Sequence, residues 1–313
     1  MKKLLGAVCV VAVLAGCGVD KADAFRKGVP LSSDVAMKVP GNSTALTSTG
    51  TRRDGLEGQT ADLYKVTRGV TVVVNGGTAA VLGLVEKIVS YPATTTTQDS
   101  ATWGPHTDPL SPNTWKLTVT RTATDTYAYV LEGKGKSEAD SAYRVVLSGS
   151  HVHLGTNLGN GTFLIDFDKA ATLPEHDGNV GTVAVTYARN APTTEVQIDA
   201  QFHGVKDGAQ LVDAQYKFRS TPGQGGSFEF ELDKDFVPGA ALEHGKVRSR
   251  WLETGAGRGD AQVSGGDTSS TMTYSECWDD AFLSRYLDAS FAPGGNYGAP
   301  SLCAFTTAQY ASL

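Results

Sequence analysis

The chain has 313 residues, with 27 Lys or Arg against 33 Asp or Glu, so its formal net charge is −6. Lys and Arg are not clustered, which predicts no binding to nucleic acid or to anionic lipid headgroups. With 40% hydrophobic residues, a chain of this length is able to bury a substantial core.

The N-terminus has the organisation of an export signal. Lys2 and Lys3 precede a continuous small or apolar stretch, residues 4–15, which is too short to span a bilayer as a helix. The stretch ends in the sequence Leu14-Ala15-Gly16-Cys17. This sequence resembles the lipobox of bacterial lipoproteins, in which a Leu and two small residues precede an acceptor Cys.

The resemblance implies that residues 1–16 are a signal peptide and that the lipoprotein-processing machinery removes them. Cys17 then carries a diacylglyceryl group and fatty acids such as palmitate, which attach the protein to a membrane of the cell envelope. Gly18 stands where an Asp would favour the inner membrane, so the family pattern implies the outer membrane if the source is Gram-negative. The alternative is an ordinary secretory signal with a chance Cys.

Residues 17–62 are predicted to form a lipidated flexible tether, because the Ser/Thr/Gly-rich stretch from Gly41 to Thr60 has no hydrophobic periodicity. A flexible tether of this length spans about 35 Å, which would lift the folded part clear of the membrane. Residues 63–313 are predicted to form a single β-rich domain.

Residues 63–92 are predicted to be mainly helical. From Val70 to Tyr91 the apolar residues recur at spacings of three and four, and Pro92 ends the pattern. Residues 75–77, Asn-Gly-Gly, are also compatible with a break that leaves a strand followed by a shorter helix. Beyond residues 4–15 the sequence has no continuous run of eighteen apolar residues, which predicts no transmembrane helix.

After a long loop at residues 93–114, the pattern changes to period two over residues 115–275. Alternating segments are separated by turn sequences such as Asn160-Gly161 and Asp207-Gly208. The fold class is therefore mainly β: an antiparallel meander of about 9–11 strands that forms a barrel or a curved half-barrel, with the helix on its concave face. A β-sandwich is the alternative. Residues 276–313 form a short C-terminal segment, which a Cys277–Cys303 disulfide is expected to close.

Several short patterns carry candidate chemistry. His151 and His153 share one strand face, but a metal site needs further ligands, so no metal and no cofactor is predicted. Asp166 and Asp168 precede a loop, where solvated carboxylates are usual. Ser148 and Ser150 lie near His151, but no nucleophile elbow is present. The pairs Lys217/Arg219, Glu229/Glu231 and Arg248/Arg250 predict a charged ladder on the outer sheet face if their strands are adjacent.

Aromatic residues on the apolar phase of the strands are the remaining signal. They are expected to form a packed core, and the alternative is an open cleft that holds an acyl chain. The residues that would line such a cleft are Phe163, Phe167, Tyr187, Phe202, Phe218, Phe230 and Trp251.

A helix over a curved antiparallel sheet behind a lipobox is similar to the half-barrel periplasmic lipoprotein carriers. The likeness is one of architecture and brings no residue roles with it. We expect a lipid-anchored envelope lipoprotein that is not catalytic, with a scaffolding or apolar-ligand-binding role and a lipid or protein partner in the envelope. The alternative is an envelope hydrolase whose site is assembled from distant strands.

Replacing Cys17 by Ser tests the lipobox. The hydroxyl of Ser is not an acceptor for the diacylglyceryl transfer, so the C17S chain is expected to keep its signal peptide and to lack acyl chains. Metabolic labelling with a radioactive fatty acid and the intact mass of the product measure both effects. Fatty-acid labelling of C17S at the wild-type level would contradict the assignment.

Overall fold

The computed structural model describes residues 22–41, 57–237, 239, 241–291 and 295–313, so the predicted signal peptide (residues 1–16) and Cys17 lie outside the described residues. These described residues contain three α-helices: α1 (Asp23–Arg26), α2 (Asp62–Val89) and α3 (Phe167–Ala170). The strands are β1 (Thr95–Thr96), β2 (Ser100–His106), β3 (Asn113–Ala123), β4 (Thr126–Gly135), β5 (Arg144–Gly155), β6 (Leu158–Asp166), β7 (Thr182–Arg189), β8 (Val196–Asp207), β9 (Gln210–Thr221), β10 (Gly225–Lys234), β11 (Glu243–Leu252), β12 (Gly257–Ser264), β13 (Met272–Trp278) and β14 (Ser284–Ala289).

All fourteen strands form one sheet, and each strand pairs with its neighbours in chain order. Every pairing is antiparallel, so the predicted meander is confirmed. The sheet is not closed, since β1 and β14 are its two edges. The architecture is therefore a curved half-barrel, with more strands than the 9–11 expected.

The strand β12 shows why the sequence pattern underestimated the strand number. Its inward positions include Gly257 and Gly259, so the strand lacks the large alternating apolar residues of its neighbours. A Cβ atom at Gly259 would come within 2.7 Å of the Leu63 side chain, and one at Gly257 within 2.6 Å of the Trp278 ring. Glycine is needed at both positions because α2 and an indole lie directly against the backbone.

The helix α2 is continuous for 28 residues, so a break at Asn75-Gly76-Gly77 does not occur. The Asn75 side chain donates to the Met37 carbonyl at 2.8 Å and accepts from the Met37 amide at 2.9 Å. The helix also begins about eight residues before the periodic pattern at Val70. By length and composition alone it is apolar enough to cross a membrane, which the search for a continuous apolar run did not predict, and 22% of its most apolar window is buried in the fold.

Residues 22–41 were assigned to the tether, but they are folded against α2. Arg26 Nε donates to the Val89 carbonyl, the Ser32 amide donates to Glu86, and Tyr64 Oη donates to the Pro40 carbonyl. The segment thus runs antiparallel along one side of α2, from its C-terminal end towards its N-terminal end. Its apolar side chains, Phe25, Val29, Val35 and Met37, are buried in the main core. A flexible tether is therefore wrong for this part of the chain.

The N-terminal end of α2 is fixed by a buried carboxylate from β13. The N-cap residue Ala61 offers no side-chain acceptor. Instead, Glu276 accepts from the Leu63 amide at 2.8 Å and from the Ser284 hydroxyl at 2.7 Å. One turn further on, Thr67 and Ser249 share a hydrogen bond of 2.5 Å between their hydroxyls. The two hydrogen bonds to Glu276 favour its ionised form, but its desolvation by burial outweighs them.

The disulfide between Cys277 and Cys303 is present, with a Cα–Cα distance of 5.5 Å. It ties the last turn of the chain to β13, and β14 is the additional strand that the C-terminal segment contributes to the sheet. The residues after Cys303 then cross the convex face, where Arg258 Nη1 donates to the Phe305 and Thr306 carbonyls. The predicted closure of the C-terminal segment is confirmed.

The Glu276 carboxyl predicts a pH dependence of stability. Burial raises the pKa of Glu276 to about 7 from its ordinary 4.5. Between these two pH values the folded state holds a proton that the unfolded state has lost. The free energy of unfolding should therefore fall by up to about 3 kcal/mol from this group as the pH rises through that window.

Urea denaturation of wild type and E276Q at pH 4.5, 6 and 8 measures this contribution. The amide cannot ionise, so the wild-type-minus-E276Q difference in unfolding free energy should decrease with rising pH. A difference that is constant across the three pH values would contradict the buried-carboxyl account.

Candidate ligand-binding cavity

A cavity of about 550 Å³ lies between α2 and the concave face of β6–β10. The helix contributes one side of it through Val66, Gly69, Val70, Val73, Val74, Gly77 and Thr78. The sheet side consists of Ile165, Phe167, Val183, Phe202, Val205, Val212, Tyr216, Phe230 and Leu232. Val180 also lines the cavity, together with the polar residues Asn179, Lys206 and Asp207. Most of the lining is therefore aliphatic or aromatic, as in sites for apolar molecules.

The cavity exists because the two sides of α2 are filled differently. On one side, residues 22–41 pack between the helix and the sheet. On the other side, no described segment takes that place, and the helix presents Gly69 and Gly77, which have no side chain to fill the gap. A Cβ atom added at either glycine would meet no atom within 4 Å. The space thus results from the glycines of α2 and from the filling of only one side of this helix by residues 22–41.

Polar groups are few, and the charged ones lie at the end of β8. Lys206 and Asp207 belong to the lining there, and Lys234 Nζ binds Asp207 Oδ2 at 2.5 Å. Tyr216 packs edge-to-face against Phe202, with the ring centroids 4.9 Å apart, and stacks on Phe228 and Phe230. Burial, followed by the charge of Asp207, raises the pKa of Tyr216 to about 12, so its hydroxyl stays protonated at neutral pH. The cavity consequently has an apolar body and one polar end.

The seven aromatic residues named from the sequence divide into two groups. Phe167, Phe202 and Phe230 line the cavity, although Phe167 lies on α3 rather than on a strand. The other four are buried in the continuous core and do not line it: Phe163, Tyr187, Phe218 and Trp251. The concave face is therefore a packed core over most of its area and an open cavity beside the middle of α2.

The histidine pair forms no metal centre within the described residues. His151 is buried, and its Nδ1 lies 2.6 Å from the Tyr187 hydroxyl. Burial, together with the neighbouring His153, lowers the pKa of His151 to about 4, so the ring is neutral at neutral pH. The hydrogen-bond partner of His151 is thus another core side chain, Tyr187, and not a metal ion.

The other catalytic candidates have structural partners. Asp166 caps α3 by accepting from the Lys169 amide at 2.8 Å, and Asp168 accepts from the Gly181 amide. Ser150 lies on the opposite sheet face from His151 because successive strand residues alternate, and its hydroxyl lies 3.2 Å from that of Thr162. No serine, histidine and carboxylate come together at these positions as hydrolysis would require.

The charged ladder is present on the convex face, since Glu229 lies opposite Lys217 on one side and Arg248 on the other. It is not a free docking surface. The C-terminal residues cover it: the Ser312 and Leu313 amides donate to Glu229 and Glu231. The ladder binds this chain's own end.

The comparisons with known proteins add no relative. No family model, no curated protein and no solved structure matches this chain. The assignment of function therefore depends on the cavity and on the N-terminal sequence.

The aliphatic half of the lining was not predicted from the sequence. Val183, Val205 and Val212 carry no pattern that separates them from other strand residues, and only their position beside the glycines of α2 places them at a cavity. A signal was available in Gly69, Gly76, Gly77 and Gly83, because repeated glycines weaken a helix by about 1 kcal/mol each relative to Ala. Their use inside a helix indicates that an absent side chain serves a purpose.

Two substitutions distinguish core from cavity. Phe218 is 1% exposed and fully packed, so F218A should lower the free energy of unfolding by about 3–5 kcal/mol. Phe202 is partly buried beside existing empty space, so F202A should cost less than half as much. Urea denaturation of the two variants measures their free energies of unfolding. Equal losses of stability would contradict the assignment of Phe218 to the core and of Phe202 to the cavity.

Proposed function

We propose that this chain is a lipid-anchored envelope lipoprotein that binds a single apolar chain, such as the acyl chain of a lipid, in the cavity beside α2. The observation that carries the proposal is the apolar lining of a cavity of about 550 Å³. Known small-molecule sites enclose roughly 300–1,000 Å³ and combine apolar walls with a few polar groups.

The distribution of polarity favours an amphiphile over a purely apolar ligand. Thr78, Asn179 and Tyr216 are the uncharged polar residues of the lining, while the Asp207–Lys234 ion pair lies at the end of β8. An acyl chain would bury its methylenes against the valines and phenylalanines, at roughly 0.8 kcal/mol each. Its head would remain at the polar end, where water and charged groups are accessible.

The proposed location supplies such ligands. A protein held by acyl chains on Cys17 stays at the surface of a membrane, which is the source of acyl chains in the envelope. Binding then requires only that a chain leave the bilayer for the cavity. This combination, an anchor and an apolar cavity in one chain, is the reason to favour ligand binding over scaffolding.

Filling the cavity from the helix tests the proposal without disturbing the core. An added side chain at Gly77 lines the cavity and meets nothing within 4 Å at its Cβ. G77F should therefore weaken the saturable binding of a fluorescent long-chain fatty acid at least tenfold, or about 1.4 kcal/mol. The assay uses the chain from residue 22 onwards, which contains every described element.

Gly76 provides the matched control. It is the neighbouring residue of the same helix, its added Cβ also meets nothing within 4 Å, and it does not line the cavity. G76F changes helix propensity equally and should leave the dissociation constant within twofold of wild type. Absence of saturable binding by wild type, or equal effects of the two variants, would contradict the proposal.

A further inference from the structure

The outer face of α2 carries an uncharged strip that no described segment covers. The strip consists of Gly69, Val72, Val73, Gly76, Ala79, Ala80 and Gly83, with Lys65 before it and Lys87 after it. Val72 is 51% exposed and Val73 is 74% exposed, although both are fully apolar. At 1.5 Å per residue the strip is about 21 Å long. An uncharged apolar surface of this length calls for a partner.

The start of the described chain shows which surface lies nearby. Arg26 of α1 donates to the Val89 carbonyl, so α1 lies at the C-terminal end of α2. Cys17 precedes Ala22 by five residues, which reach at most about 18 Å even when extended. Acyl chains on Cys17 would therefore enter the membrane within about one strip length of the end of α2.

We infer that the outer strip of α2 rests on the lipid bilayer, with the helix lying in the membrane surface. The inference depends on the proposed lipid anchor at Cys17. Lys65 and Lys87 are exposed at the two ends of the strip, where their long side chains reach headgroup level while the valines contact the acyl region.

Two further features support the bilayer as the occupant. Gly69 and Val73 belong both to the strip and to the cavity lining, so the opening of the cavity faces the same surface. An acyl chain could then pass between membrane and cavity without crossing water. Residues 42–56 do not suit the strip, because they are mostly Ser, Thr and Gly and include Arg52, Arg53 and Asp54.

A depth measurement on the full acylated protein tests the inference. In the acylated protein Cys17 carries lipid and Cys277 and Cys303 form a disulfide, so the thiol that V73C introduces is the one that a fluorophore labels. Labelled protein is reconstituted into phosphatidylcholine vesicles that contain lipid brominated in the acyl chain. We expect several-fold stronger quenching at V73C than at L164C, a matched apolar position that is 42% exposed on the convex face.

A second substitution in the same background gives the result an internal check. V73C combined with A80D places a carboxylate in the middle of the strip, and quenching should fall to the L164C level. Equal quenching at V73C and L164C in the protein without A80D would overturn the inference.

Formation of a V73C–V73C disulfide dimer in place of quenching would also overturn it, since a second copy would then cover the strip. An intact mass that shows no acyl chains on Cys17 would contradict both the lipid anchor and the contact between the strip and the bilayer. Fatty-acid binding that survives in the chain from residue 22 would show that the cavity proposal stands independently.

Discussion

The structure is governed by the width of its apolar concave face. Fourteen strands at about 4.8 Å spacing make a sheet about 60 Å wide along its curve, whereas a helix with its side chains is about 10–12 Å across. One helix is unable to cover such a face alone. The sheet curves around α2, residues 22–41 fill one side of the helix, and the other side keeps a cavity of about 550 Å³. Fold and candidate site thus have the same origin.

The position of α2 is set by polar contacts at separate points along it. Glu276 accepts a hydrogen bond from the Leu63 amide at the N-terminal end of the helix. The hydroxyls of Thr67 and Ser249 share a hydrogen bond, and the Asn75 side chain is hydrogen-bonded to the backbone of Met37. These contacts lie on the sides of the helix that face β11–β13 and residues 22–41. Within the described residues, the remaining two sides, towards the cavity and towards the outside, carry no such contacts, and these are the sides for which we propose contact with lipid. The same helix therefore serves as a structural cover and as the candidate ligand-binding element.

Much of the fold was predictable because the strands bury one face. The alternation in residues 115–275 indicated an antiparallel meander, and the two remaining cysteines indicated their disulfide, which the structure contains. The start of α2 at Asp62 lies within one residue of the predicted start at residue 63. The group that fixes this end was not predictable from local pattern, since Glu276 lies 213 residues away from Leu63. Residues 22–41 were mistaken for tether because they pack on α2 without any periodicity of their own.

The candidate cavity was predictable only in part. The aromatic phase of the strands identified the face to which Phe202 and Phe230 belong, but not which rings border empty space. That distinction depends on where α2 lies and on the absence of side chains at Gly69 and Gly77. Sequence patterns report which face is buried, and only the arrangement in space separates a filled region from an open one.

Ligand-to-methyl nuclear Overhauser effects test the central claim most directly. With a long-chain fatty acid bound to the chain from residue 22, its methylene protons should contact the methyl groups of Val183, Val205 and Val212, which line the cavity. The core methyl groups of Val119 and Val185 should show no contact. Contacts to the convex-face Val145, or no contacts at saturating ligand, would contradict the account.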